Sequence, residues 1–358
     1  MMDITDKLLK SVIPLLCAAL LVACGKGSTE DNAEPVDSQV RIYGAGSTFV
    51  SPLMWRWIEQ YEDQNTQAVF DYQAVGSGEG IDRFIAGGID FGASDSAMND
   101  AEIARAKPPA GRGVKLIPIT AGEVVVAYNI PGLNGTLKLP RDVYVDIFLG
   151  RITHWDDDRI VSANPGLNLP SKRVQVVARR DSSGTTYAFT NHLSAISDAW
   201  RTGPGTGKLI DWPGSAMVAL GNEGVSQRLK ITDNSIGYIE YGFARRLGLS
   251  MAMLQNRAGN YVAPGPEGGK QALYSAAENI PADLRLFLPD PAGSRAYPVV
   301  SLVWLLLHRN YLDRAEEQIL KDAVEWSLTD GQAIADEMGY IPLPSNLVDR
   351  ALIELRND

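Results

Sequence analysis

Val176-Val177-Ala178-Arg179-Arg180-Asp181-Ser182-Ser183-Gly184-Thr185-Thr186-Tyr187 reads as a strand, a tight polar turn and the start of a helix. Val174 to Ala178 is a β-branched apolar run with the composition of a buried strand. From Phe189 the apolar residues fall at Leu193, Ile196 and Trp200, which is helical spacing. Between the two elements sit two arginines, one acid, four hydroxyl residues and a glycine. The first turn of a helix offers unpaired backbone N–H groups and partial positive charge, and neighbouring hydroxyls add donors. Gly184 lets a ligand approach the backbone, and an arginine fork beside such a turn completes a site for a small tetrahedral oxyanion. An ordinary helix cap flanked by two surface arginines fits the same letters. The remainder of the chain separates these readings.

The same design recurs. Val40-Arg41-Ile42-Tyr43 is a short strand followed by Gly44-Ala45-Gly46-Ser47-Thr48-Phe49 and a helix with Leu53, Trp57 and Tyr61 along one face. The glycine pair lacks the third glycine and the acidic ribose partner of a dinucleotide fingerprint. Val69 to Tyr72 leads into Gly76-Ser77-Gly78-Glu79-Gly80 and a helix through Ile81, Phe84 and Ile85. Ile89 to Ala93 ends at Ser94-Asp95-Ser96. Each turn alone reads as a cap. Four strand ends with this chemistry favour a loop-built anion site, because ligands in open α/β sheets bind at the carboxyl ends of strands.

Further strands are expected at Val114–Ile119, Val124–Asn129 and Ser235–Ile239, with Pro298–Leu307 as an apolar return crossover. Helices are expected around Val143, Ile147 and Phe148, and at Gly224–Leu229, Tyr241–Leu247, Ala315–Leu328 and Gly331–Met338, with residues 202–224 irregular. The order predicts two α/β lobes, the first built from both ends of the chain, with a ligand between them.

A chain of 358 residues can hold two such cores. Its net charge of −10 and lack of basic blocks argue against nucleic acid, so an anion is held by local dipoles and hydrogen bonds. Both cysteines lie in the first 24 residues. Lys7 and Lys10 precede the apolar run Ser11–Val22, too short to span a bilayer and suited to a signal peptide. Its end, Leu21-Val22-Ala23-Cys24-Gly25, resembles a bacterial lipobox with Cys24 as the lipidated first mature residue. A chance cysteine after a plain signal peptide is the alternative. Residues 25–39 read as a polar tether reaching about 20 Å.

Taken together, Gly44 to Phe49, Gly76-Ser77-Gly78, Asp90 to Asp95, Arg179 to Thr185, Asn129 to Leu133, Ser235 to Tyr241 and Tyr297-Pro298 closely resemble the substrate-binding proteins of the high-affinity phosphate ABC transporter. The resemblance runs from about residue 42 to 345. It implies an α/β, two-lobed periplasmic-binding-protein (type II) fold, with a hinge of two crossover strands and the ligand cleft between lobes. The expected division is 1–23 signal peptide, 24–39 tether, 40–128 lobe 1, 129–305 lobe 2 and 306–358 lobe 1 again. It also implies a phosphate receptor in the periplasm or at the cell surface, anchored to the membrane at Cys24 and serving the transporter's membrane permease subunits, with no cofactor and no metal.

Carried over residue by residue, the resemblance makes Thr48 a hydroxyl donor and Phe49 a backbone N–H donor. Ser77 donates by hydroxyl, Arg179 by a bidentate fork that Asp181 holds from behind, and Ser183, Gly184 and Thr185 by hydroxyl or backbone N–H. Asp95 is a carboxylate aimed at an anion, and an ionised Asp95 could accept the proton that phosphate carries near neutral pH. Sulfate has no such proton. Glu79, Arg180 and Ser182 depart from the family's pattern. Glu79 is expected to face solvent, since pointed inward it would repel an anion. An enzyme acting on phosphate esters is disfavoured, because His154, His192 and His308 are isolated and no Gly-x-Ser-x-Gly elbow or metal-ligand cluster appears. On the helix after the turn, His192 reads as solvated or capped. Receptors for sulfate, molybdate or an organic phosphate, and a surface-anchored sensor or adhesive protein, stay open as alternatives.

Overall fold

A computed structural model describes residues 39–107 and 111–357. The signal peptide, Cys24 and the tether up to residue 38 lie outside the described residues. The chain runs through β1 (Val40–Gly46), α1 (Ser51–Glu62), β2 (Ala68–Ala74), α2 (Ser77–Ile85), β3 (Phe91–Ser94), α3 (Asp100–Arg105) and β4 (Val114–Asn129). It continues with β5 (Lys138–Leu139), α4 (Arg141–Phe148), α5 (Asp158–Ala163), β6 (Gln175–Arg179), α6 (Gly184–Ile196), α7 (Asp198–Thr202), β7 (Met217–Ala219) and α8 (Gly221–Ile231). Next come β8 (Ser235–Glu240), α9 (Tyr241–Leu247), β9 (Ser250–Met251), β10 (Met253–Gln255), β11 (Tyr261–Val262) and α10 (Pro266–Ala276). The chain returns as β12 (Val300–His308) and closes with α11 (Arg314–Leu328), α12 (Gly331–Met338) and α13 (Ser345–Arg356).

The main sheet has the order β2-β1-β3-β12-β4-β8-β6-β7. In its first half β1, β2 and β3 are parallel, and β12 runs antiparallel between β3 and β4. In its second half β6, β7 and β8 are parallel to one another and antiparallel to β4. The register makes this arrangement functional. Ser94, the last residue of β3, pairs with Trp304, which pairs with Pro118; Glu240, the last residue of β8, pairs with Val124. Two sets of three parallel strands therefore aim their carboxyl ends at each other across residues 118–124 of β4. This is the two-lobed α/β architecture that the sequence implied.

β4 differs from expectation. The sequence reading split it in two, but it is one strand of 16 residues, buried throughout except at Asn129. Thr120 to Glu123 stay extended because Ala121 exchanges backbone hydrogen bonds with Ile341 while β12 pairs along the other edge. Such an apolar run, with no polar alternation, marks a strand covered on both faces.

Two helical expectations shift. The spacing from Phe189 to Trp200 breaks at Ser197, whose hydroxyl accepts the Trp200 N–H (3.2 Å) and starts α7. The segment expected to be irregular contains β7, and α8 begins at Gly221, three residues before the predicted helix. Among the described residues no helix is long and apolar enough to cross a membrane.

Candidate functional site

Loops leave the facing strand ends, and polar side chains from those after β1, β2 and β6 meet at Asp95, which is 1% exposed just after β3. Its Oδ1 accepts from Ser47 Oγ (2.8 Å) and Ser77 Oγ (2.6 Å), both from the first half. Its Oδ2 accepts from Thr185 Oγ1 (2.8 Å), at the start of α6 in the second half. A carboxylate oxygen has about two acceptor positions. Both on Oδ1 are used, and one on Oδ2 remains.

Arg179 ends β6 and is buried. Its Nε donates to Asp181 Oδ1 (2.8 Å) and its Nη2 to Asp181 Oδ2, a fork-to-fork pair, while Nη1 reaches Thr185 Oγ1 (3.4 Å). Gly221 N–H also donates to Asp181 Oδ1 (3.1 Å). Burial alone would raise the Asp181 carboxyl, but the Arg179 guanidinium and the Gly221 N–H outweigh it and hold the pKa below its ordinary value. The arginine is thereby aimed, with Nη1 turned toward the Thr185 hydroxyl. Behind it, Tyr238 Oη accepts the Arg179 backbone N–H (3.2 Å) and bonds Thr186 Oγ1 (2.7 Å).

Ser183 caps α6, its Oγ accepting from the Thr186 N–H (3.1 Å). The N–H groups of Gly184 and Thr185, one residue further back in that first turn, have no intrahelical acceptor. Gly184 lies against the cluster: a Cβ there would stand 2.4 Å from Asp95 Oδ1 and 2.7 Å from Ser77 Oγ. Only hydrogen fits. Gly78 N–H donates across the halves to the Ser182 carbonyl (2.9 Å), and a Cβ on Gly78 would stand 1.9 Å from Ser182 Oγ. The larger residue at 182 is thus matched by the glycine at 78.

The other expected residues also sit here. Phe49 is buried and its N–H donates to Ser47 Oγ (3.1 Å). Thr48 Oγ1 accepts from the backbone N–H of Asn222 (3.1 Å) and from its Nδ2 (3.2 Å). So Thr48, Phe49, Ser77, Asp95, Arg179, Ser183, Gly184, Thr185 and Asp181 are all brought to one place. Glu79 stands apart from the Asp95 cluster: it is exposed and pairs with Arg83 (2.7 Å). A groove of about 730 Å³ opens beside the cluster, lined by Thr48, Asp181, Trp55 and Arg246 and also by Glu79 and Arg83.

Two participants were missed. Ser47 lies beside Thr48 in the Gly44–Phe49 turn, and nothing in the letters tells the two hydroxyls apart. Asn222 sits in Gly221-Asn222-Glu223-Gly224, one more glycine-bracketed turn after a strand, and that pattern was the available signal. His192 needs correction: it is neither solvated nor a cap but fully buried, bonded to Tyr144 Oη (2.8 Å) and the Pro289 carbonyl (2.7 Å). Burial pushes its pKa down to about 4. Among the described residues no group of three or more metal-ligating side chains comes together.

Comparison with known proteins agrees with this geometry. Residues 30–330 match the model of the PBP superfamily domain. The chain is 37% identical to the phosphate-binding protein PstS of Xylella fastidiosa (strain 9a5c), covering 90% of this chain and 87% of that protein. It is 34% identical to the phosphate-binding protein PstS of Methanocaldococcus jannaschii, covering 94% and 90%. Among solved structures, a high-affinity periplasmic phosphate-binding protein (PfluDING) bound with phosphate superposes with a TM-score of 0.68 at 22% identity, covering 87% of this chain and 92% of that one. The phosphate-binding protein of Stenotrophomonas maltophilia gives 0.68 at 18% identity, covering 88% and 94%. At such identities the structures speak to the fold, and the curated relatives to the family. The chain belongs to the PBP superfamily and, within it, to the PstS family of phosphate-binding proteins.

Proposed function

We propose that this chain is an extracytoplasmic receptor that binds inorganic phosphate between the two halves of its sheet and delivers it to an ABC transporter for import. The observation that carries the reading is the buried Asp95 carboxylate, ringed by hydroxyls from both halves, with one acceptor position left on Oδ2. Phosphate near neutral pH carries a proton that fills such a position and presents acceptors elsewhere. Sulfate brings a bare oxygen to the same carboxylate, and a buried mismatch of this kind costs a few kcal/mol, or a hundredfold or more in affinity.

In this reading Arg179 supplies the formal positive charge. Thr48 and Ser183 offer hydroxyls not committed to Asp95, and Ser77 and Thr185 offer theirs by turning from Asp95 toward the anion. The backbone N–H groups of Phe49, released from Ser47 Oγ, and of Gly184 complete the donor set. Asp181 orients Arg179 from behind. The two halves act as lobes. Sequence placed the lobe boundaries at 128/129 and 305/306; we move them to 123/124, where the partner of β4 changes from β12 to β8, and to 299/300, where β12 begins. Contacts that both lobes make with one anion favour closure. Lipid attachment at Cys24 would hold the receptor at the membrane beside the permease subunits, and mass spectrometry of the purified membrane-bound form tests it. We assign no turnover to the site: Asp95 faces hydroxyl donors, and His192 and His308 are buried.

Calorimetric titration of residues 40–358 with phosphate and then sulfate tests the function. Tight phosphate binding with at least a hundredfold weaker sulfate response is expected. Equal responses, or release of phosphate from a phosphomonoester, would overturn the proposal.

A further inference from the structure

Asn222 is fully buried at the start of α8, and its hydrogen bonds reach both halves of the sheet. Its Oδ1 accepts the backbone N–H of Glu240 (3.0 Å). That main-chain donor settles which end of the amide is which, so the NH₂ group must face the threonines. Nδ2 donates to Thr48 Oγ1 (3.2 Å) in the first half and to Thr185 Oγ1 (3.1 Å) in the second. The Asn222 backbone N–H donates to Thr48 Oγ1 as well (3.1 Å).

A threonine hydroxyl has one proton and two lone pairs. At Thr48 both lone pairs are taken by Asn222, so toward any third group this hydroxyl can only donate. At Thr185 the lone pairs are taken by Asn222 and Arg179 Nη1 (3.4 Å), and the proton points to Asp95 Oδ2 (2.8 Å). We infer that Asn222 is a positioning residue for the anion: it makes the Thr48 and Thr185 hydroxyls obligate donors and ties the donor on the first half to the second. The inference rests on the phosphate-receptor reading.

Asn222 acts here without touching the anion. Without its amide the same hydroxyls remain, but each can rotate and turn a lone pair toward an oxyanion, which converts an attraction into a repulsion. Because Thr48 and Asn222 lie on opposite halves, the donor polarity of Thr48 is set only when the halves are together. Asn222→Asp sharpens the logic. It keeps the size and the acceptor for Glu240 N–H, yet it replaces a donor with an acceptor that draws both hydroxyl protons to itself.

The test is calorimetric titration with inorganic phosphate of the unmodified protein, Asn222→Ala, Asn222→Asp, Thr48→Val and the double variant Asn222→Ala/Thr48→Val, with melting curves alongside. Asn222→Ala should weaken binding about tenfold and Asn222→Asp about a hundredfold or more. In the Thr48→Val background the Asn222→Ala loss should shrink to about threefold, the part carried by Thr185, since interacting groups are not additive. A purely structural role would lower the melting temperature and leave the two losses additive. Should Asn222→Ala fail to fold, Asn222→Asp with and without Thr48→Val carries the same comparison. Strict additivity, or wild-type affinity in Asn222→Asp, overturns the inference alone. Absence of phosphate binding by the unmodified protein overturns the receptor reading, and this inference falls with it.

Discussion

Asp95→Asn is the sharpest perturbation of the proposed site. The asparagine keeps its carbonyl oxygen where Asp95 Oδ1 receives Ser47 (2.8 Å) and Ser77 (2.6 Å), because the reverse orientation would lose two bonds instead of one. Its NH₂ group then faces Thr185 Oγ1, whose lone pairs are already held by Asn222 and Arg179. Donor meets donor, and the hydroxyl must turn away. Losing one charge-assisted bond costs about 1.5–3 kcal/mol, which is roughly tenfold to a hundredfold in phosphate affinity. For sulfate the sign reverses, since the repelling carboxylate is gone and an NH₂ donor stands in its place. The preference for phosphate over sulfate should therefore narrow by about a hundredfold or more, read as the ratio of two calorimetric dissociation constants at pH 7. If phosphate weakens while the ratio stays the same, Asp95 merely braces the loops and the account of selectivity is wrong.

Three further outcomes follow from geometry. Gly184→Ala drives a methyl group against Asp95 and Ser77, so phosphate affinity should fall roughly tenfold to a hundredfold while far-UV circular dichroism is unchanged; wild-type affinity would show that the cluster yields easily. Lys208 and Glu102 form an ion pair (2.5 Å) between the second half and α3 of the first, with side chains only 14% and 18% exposed. Lys208→Met should weaken phosphate binding about tenfold and enlarge the radius of gyration in small-angle scattering of the ligand-free protein; no change in either would deny the pair a role in closure. Glu240 caps α9 through Gly242 and Phe243 N–H groups, and burial pushes its carboxyl from 4.5 up to about 7 against those bonds and the nearby Arg246 and Arg245 charges. The folded state holds this proton more tightly, so the contribution to stability is full below pH 4.5 and is lost as pH rises to about 7. Burial lowers His192 and His308 to about 4, and their contributions run the other way, growing as pH rises from 4 to 6.5. The wild-type minus Glu240→Gln difference in urea denaturation isolates the first effect: it should fall by at most a few kcal/mol between pH 4.5 and 7, and a flat difference would refute it.

Most of this architecture was legible because its elements follow local rules. Val174 to Ala178 and Pro298 to Leu307 declare buried strands by composition, and the Ser/Thr/Gly turns declare helix starts. What stayed hidden depends on distant partners. The unity of β4 rests on Ile341 and β12, more than 170 residues away in sequence, so the Thr120–Glu123 stretch looked like a break. His192 was misjudged because its burial comes from Tyr144 and Pro289, which no local pattern announces. At the site, letters could mark Thr48, Ser77, Asp95 and Arg179. They could not show that Ser47 shares the Asp95 oxygen with Ser77, or that Asn222 joins Thr48 to Thr185.

The position of β12 between β3 and β4 also sets an order in which the lobes can be completed. Residues 91–94 and 114–123 have no sheet partner between them until residues 300–308 join them. That closure spans the whole second half, and such non-local pairing is slow because its loop entropy is lost before the contacts form. The second half is contiguous in sequence and can fold before it, while the edges of β3 and β4 wait unpaired. The first lobe is thus completed last, and the anion site, which needs both, is among the last features of the molecule to form.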